Sequence, residues 1–96
     1  MLSSYTVGRV IQEFREKKGL SQEVVSGLAD IGRTHLSAIE RGHRKPTLET
    51  FCRIADAMNV LPSELMRQIE SEIKKVIIPL ILTSVGIHST ITVQNF

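Results

Sequence analysis

Apolar side chains recur with a helical period from near the N-terminus to about Ile78. Val7, Val10, Ile11 and Phe14 fall on one side and Arg9, Gln12, Glu13, Glu16 and Lys17 on the other. That pattern predicts a first helix from about Thr6 to Lys18, stopped by a basic last turn and Gly19. Ser21 followed by Gln22 and Glu23 reads as an N-cap for a short second helix through Val25, Leu28 and Ala29, closed by Asp30-Ile31-Gly32. A third helix follows at once, with Leu36 and Ile39 inward, Arg33, Thr34, Ser37, Ala38 and Arg41 on the opposite side, and Gly42 at its end. After the loop His43-Arg44-Lys45-Pro46, Thr47 caps a fourth helix predicted to carry Leu48, Phe51, Ile54, Ala55 and Met58 inward, with Asn59 left-handed beyond it. Pro62 suits the first position of a fifth helix, in which Leu65, Ile69, Ile73 and Ile77 repeat every four residues.

The informative feature is the pair of short helices between Ser21 and Arg41, joined by three residues. Neither is long enough to bury an apolar face against the other alone, so the turn must hold both over helices 1, 4 and 5. This is a helix-turn-helix arrangement. Its second helix keeps one side off the core and can present side chains to the DNA major groove, which is wide enough to admit a helix.

Composition sharpens this picture. At 96 residues and 10.7 kDa the chain forms one domain, and 42% hydrophobic with 23% charged residues excludes disorder as the main state. The single cysteine, Cys52, cannot form an internal disulfide and no secretory leader pattern is present, so a reducing, cytoplasmic setting is expected. Net charge is only +2, but every Lys, Arg, Asp and Glu lies between Arg9 and Lys75. From Arg33 to Lys45 four basic residues (Arg33, Arg41, Arg44, Lys45) stand against one acid, Glu40. Such a cluster is the electrostatic footprint expected for a phosphate backbone.

From Val76 to Phe96 there is no charge, and eleven of the twenty-one residues are Val, Ile, Leu or Phe. The run Val76 to Leu82, interrupted by Pro79, falls far short of the roughly 18 to 20 apolar residues that span a bilayer. Two parts are therefore expected: residues 1–75 as a helix-turn-helix DNA-binding domain and residues 76–96 as an apolar dimerisation extension. The β-branched stretch Ile91-Thr92-Val93 after Gly86 has strand composition, so the extension is expected to add a short strand to the helix. Ile73, Ile77, Leu80, Leu82, Ile91 and Val93 are the expected dimer contacts.

Three stretches, Gly19-Leu20-Ser21-Gln22-Glu23, Arg33-Thr34-His35-Leu36-Ser37-Ala38-Ile39-Glu40-Arg41-Gly42 and Pro46-Thr47-Leu48-Glu49-Thr50, carry a resemblance to the Cro/lambda-repressor type helix-turn-helix regulators. It covers about Val7 to Leu65. The second stretch is similar to that of restriction-modification controller proteins. The resemblance implies an all-α, five-helix domain that binds double-stranded DNA as a homodimer. It implies that Gln22 bonds a phosphate, that Arg33, Thr34, Ser37 and Ala38 face base edges, and that Arg41, His43, Arg44 and Lys45 hold the DNA backbone. His35 is placed against a phosphate or on the rim, and Arg15 and Glu40 stand where relatives carry an ion pair. Residue chemistry agrees: an arginine fork matches guanine O6 and N7, threonine can bond a base or a phosphate, and alanine admits a thymine methyl.

The chain departs from the family pattern at Asp30, where glycine is usual in the turn, at Ser26, where alanine is usual, and at Gly27, which weakens helix 2 by about 1 kcal/mol relative to alanine. Val24 and Leu28 form an apolar i, i+4 pair on the side expected to face outward.

Other chemistry finds little support. His35, His43, His88 and Cys52 lack zinc-ligand spacing, and no phosphate-cradling glycine loop, nucleophile elbow or His-Glu-x-x-His motif occurs. Cys52, beside Phe51, reads as a small buried hydrophobe. No enzyme, cofactor, metal or membrane anchor is expected. The sequence points to a sequence-specific repressor or controller reading a pseudo-palindromic operator through helix 3. The alternatives are an operon-autoregulating antitoxin, or a protein-interaction module using the tail and the Val24/Leu28 face.

Overall fold

Ser3 opens the helical fold: its Oγ accepts from the Tyr5 and Thr6 backbone N–H groups at 3.2 and 3.4 Å, so α1 runs Ser4–Lys17. It begins two residues before the start predicted from apolar spacing, because the cap lies upstream of the first apolar residue. The structure is a computed structural model and describes residues 2–84. Ile91, Val93, His88 and the strand expected around Thr92 lie outside the described residues. The described chain contains five helices, the others being α2 (Gln22–Ala29), α3 (Arg33–Glu40), α4 (Leu48–Ala57) and α5 (Pro62–Ser84).

Each of the first four helices ends in the same way. A left-handed residue follows the last turn (Gly19, Asp30, Gly42, Asn59, with φ of 69, 56, 79 and 58°), and the next N–H reaches back to a carbonyl of the final turn. Leu20 bonds Arg15, Ile31 bonds Ser26, His43 bonds Ala38 and Val60 bonds Ala55, all between 2.9 and 3.1 Å. These closures satisfy carbonyls that would otherwise lack partners. Asp30 accepts the left-handed backbone usually given to glycine, and its short side chain makes that tolerable. At the other ends, Ser21 Oγ accepts from Val24 N–H and Thr47 Oγ1 from Thr50 N–H, both at 3.1 Å. The Glu64 carboxylate accepts the Leu61 N–H at 2.9 Å before Pro62 opens α5.

The core forms where the five apolar stripes meet: Val10 and Ile11 of α1, Val25 and Ala29 of α2, Leu36 and Ile39 of α3, Ile54, Ala55 and Met58, and Leu65 and Ile69 of α5. Phe14, Leu20, Ile31 and Ile73 pack on its edge. Leu48 corrects the inward set predicted for α4, being 76% exposed. It occupies the first position of the helix, and that turn overhangs the rim of the core instead of lying on it. Cys52 is half-buried beside the buried Phe51, so the reading of it as a core residue is also corrected.

Helix α5 crosses residue 76 without a break and continues through Pro79 to Ser84. At 1.5 Å per residue its 23 residues span roughly 34 Å, carrying its C-terminal turns past the core. Among the described residues no helix is long and apolar enough to cross a membrane.

Candidate nucleic-acid interface

With Leu36 and Ile39 buried, the 3.6-residue period turns the rest of α3 outward. Arg33 and Thr34, in its first turn, are exposed; His35, Ser37 and Ala38 are half-buried; Arg41, His43, Arg44 and Lys45 continue the exposed surface into the α3–α4 loop. The first turn of α3 has no side-chain cap, because Gly32 stands at the N-cap position. The backbone N–H groups there remain open to an anion.

The electrostatics of this face depend on one buried pair. Glu40, the only acid between Arg33 and Lys45, is turned inward and almost fully buried. Arg15 of α1 meets it with a double contact, Nε donating to Oε2 at 2.7 Å and Nη2 donating to Oε1 at 3.0 Å. The third guanidinium nitrogen, Nη1, donates to the Leu20 carbonyl at 2.7 Å. The hydrogen bonds to Glu40, followed in weight by desolvation that acts the other way, hold the Arg15 pKa above its ordinary value. The one negative charge carried by α3 is thus consumed internally. Among the described residues Arg33, Arg41, Arg44 and Lys45 have no carboxylate within ion-pair distance. Four uncompensated cations therefore lie along α3 and the loop after it.

Gln22 does more than stand at the start of α2. Its Nε2 donates to Glu40 Oε1 at 2.9 Å, joining α2 to the Arg15–Glu40 pair. The amide carries two hydrogens, so one remains for an outside acceptor. Sequence reasoning missed this tie and the Leu20 carbonyl, since both depend on how α1, α2 and α3 are brought together. It also passed over Gly8, a glycine inside a strong helical pattern. That is a signal for close packing, and a Cβ there would come within 2.7 Å of the Glu40 carbonyl oxygen.

Val24 and Leu28 are 46% and 68% exposed on the outer side of α2, with open space beside Gly27. Ser26 is buried and its hydroxyl donates to the Glu23 carbonyl at 3.2 Å, which satisfies the polar group where alanine is usual. Among the described residues no three His, Cys, Asp or Glu side chains converge to hold a metal ion.

Two short helices, the second anchored by Leu36 and Ile39 and displaying an arginine fork, a hydroxyl and a small side chain above a row of free cations, define a helix-turn-helix nucleic-acid-binding protein. The helix-turn-helix family model, HTH_3, matches residues 11–65, and the chain belongs to that family. A relative in Sinorhizobium fredii, an uncharacterized HTH-type transcriptional regulator called y4dJ, is 38% identical over 60 residues, 62% of this chain and 78% of its own. Among solved structures, the restriction-modification controller protein C.AhdI from Aeromonas hydrophila superimposes with a TM-score of 0.64 at 32% identity, covering 68% of this chain and 98% of the controller. The controller C.Esp1396I, solved as a tetramer in complex with its natural 35 base-pair operator, has a TM-score of 0.70 at 27% identity, covering 76% of this chain and 96% of the controller.

Proposed function

We propose that this chain is a sequence-specific DNA-binding transcriptional regulator of the repressor or controller type, acting in the cytoplasm as a homodimer on a pseudo-palindromic operator. One observation carries the reading: Glu40 is buried against Arg15, which leaves the cations of α3 and the following loop uncompensated on the face that the helix period turns outward. Relatives with this fold are transcriptional regulators, and one was solved on its operator.

Each side chain has a role that its chemistry supports. Arg33 reads a guanine through a bidentate contact, Thr34 and Ser37 bond base or phosphate, and Ala38 accommodates a thymine methyl. Arg41, His43, Arg44 and Lys45 bind the backbone and supply the salt-dependent part of affinity, with His35 on the rim. Gln22 uses its remaining amide hydrogen on a phosphate, beside the N-terminus of α2. Two copies are needed because one recognition helix reads only a few base pairs, and half-sites one helical turn apart, about 34 Å, match a two-fold protein. An interaction module using the tail and the Val24/Leu28 face is not favoured, because such a surface has no need of an arginine fork on α3.

The test is a gel shift with DNA from upstream of the gene. A complex that persists under excess random DNA supports the reading; a complex lost equally to random and cognate competitor overturns it.

A further inference from the structure

Resting on the regulator reading above for its effect on DNA, we propose that the hollow between Leu2, the start of α4 and the first half of α5 binds a small aromatic carboxylate. The acid group of that ligand takes Lys45 away from the DNA backbone. The floor of the hollow is core: Val7 of α1, Phe51 of α4 and Ile69 of α5 are all buried. Its rim is Leu2, Leu48 and Met66, three large apolar side chains open to water. They come from distant parts of the sequence, and exposed apolar groups that converge on one concave place are what a ligand site offers.

The walls stand without a ligand. Gly42 lies so close to α1 that a Cβ there would come within 2.8 Å of the Tyr5 Cα, which fixes the α3–α4 loop against that helix. Pro46 sets its own φ and Thr47 Oγ1 accepts the Thr50 N–H at 3.1 Å, so the loop enters α4 in one conformation.

Size and chemistry select the ligand. The volume is about 180 Å³. An apolar cavity of about 150 Å³ is enough for benzene, so a single ring fits and a nucleotide does not. The Phe51 ring and the Met66 thioether both favour an aromatic neighbour. Only one lining residue is charged, Lys45, and it has no carboxylate within ion-pair distance among the described residues. Glu49, the next acid along the chain, is held by Arg53 Nη2 at 2.6 Å. A ring bearing one carboxylate complements both the apolar floor and the single cation at the edge.

Lys45 belongs to the segment that holds the DNA backbone. A bound carboxylate neutralises that cation and sets a negative charge beside the phosphates, so ligand and operator oppose each other. By linkage each weakens the other by the same factor.

The test uses the full chain with phenylacetate as the probe and 2-phenylethanol as its uncharged counterpart. Binding is read without DNA, from the NMR methyl signals of Leu2, Val7 and Met66. These should shift saturably with phenylacetate, and 2-phenylethanol should bind about tenfold more weakly or worse, for want of the charged contact. Lys45→Met keeps the stem, removes the charge and should make the two probes equal; Met66→Trp fills the hollow from its rim and should abolish both. Circular dichroism checks folding, and Lys45→Met, at an exposed loop position, carries the test should Met66→Trp not fold. With operator DNA, saturating phenylacetate should weaken the wild-type complex about fivefold or more and leave that of Lys45→Met unchanged. The proposal is overturned by the absence of a saturable shift, by equal affinity of wild type for the two probes, or by shifts at Val24 and Leu28 instead. Operator affinity unchanged with the probe bound overturns it too, as does a hollow filled by a second copy, seen as contacts of the Leu2 and Met66 methyls between differently labelled chains. A wild type with no preference for cognate over random DNA refutes the regulator reading and leaves the probe titration as it is.

Discussion

Gly8 of α1 lies against the backbone carbonyl of Ile39 in α3, so close that a Cβ at position 8 would overlap that oxygen and come within 2.7 Å of the Glu40 carbonyl oxygen and 2.9 Å of its carbon. The missing side chain lets α1 and the recognition helix touch backbone to backbone, and that approach brings Arg15 within reach of Glu40. Gly8→Ala should therefore cost at least the 1 to 3 kcal/mol of ordinary overpacking, about, since backbone cannot move aside as a side chain can. Gly27→Ala should do the reverse. Nothing lies within 4 Å of a Cβ at position 27, so the gain in helix propensity, about 0.5 to 1 kcal/mol, appears in full. Urea unfolding midpoints of the two variants check both signs.

Removing one partner of the Arg15–Glu40 pair should be more damaging than removing both. Glu40→Ala leaves a guanidinium whose side chain is only 11% exposed without its carboxylate, at a cost of about 3 to 5 kcal/mol. Arg15→Lys should not behave as conservative, because an ammonium cannot bond both carboxylate oxygens and also reach the Leu20 carbonyl in the fixed geometry of the fork. A double-mutant cycle measured by chemical denaturation gives the coupling directly, and a value near zero would contradict this account.

On DNA, Arg33→Ala and Arg44→Ala should fail differently. Loss of a bidentate base contact costs about 1 to 3 kcal/mol on the cognate site and relaxes preference at one base pair. Loss of a phosphate contact weakens all sequences together and lowers the salt slope by about one unit. Binding isotherms on cognate and random DNA at several salt concentrations separate the two. Equal losses on both DNAs for Arg33→Ala would remove that residue from base readout.

Acid should loosen the junction of α1 and α5. Glu72 accepts from Lys75 Nζ at 2.8 Å and from Arg9 Nη2 at 2.6 Å. These hydrogen bonds, that of Lys75 foremost, lower its pKa from 4.5 to about 2. A carboxyl whose pKa is depressed on folding contributes stability above its unfolded pKa and loses it as pH falls towards the folded one. Wild type should thus melt above Glu72→Gln at neutral pH, the gap closing between about pH 4.5 and 2. A gap unchanged at pH 2.5 would show that the carboxylate charge is not what ties α5 to α1.

Local chemistry in this chain is legible without coordinates. Ser21, Thr47 and Pro62 start helices through contacts made within three residues, and Asp30, Gly42 and Asn59 end them through backbone angles set by a single residue, so neighbours in sequence are enough. The same holds for the face of α3: once Leu36 and Ile39 are inside, the helix period alone puts Arg33 and Thr34 outside.

What the tertiary structure decided depends on distances between helices, which no period encodes. Leu48 has the spacing of a core residue, yet its turn lies beyond the rim of the core, and only the placement of α1 and α5 sets where that rim runs. Pro79 reads as a break because it lacks an N–H and crowds the preceding turn, but α5 carries on through it. Gln22 reads as a free phosphate ligand until α2 and α3 meet and Glu40 takes one of its hydrogens. In sequence, then, this protein determines which residues are helical and which face of each helix is apolar, because those follow from the backbone period and single-residue caps. Which polar groups are consumed inside, and which remain free for DNA, is decided only when residues as far apart as Arg15 and Glu40 are brought to 2.7 Å.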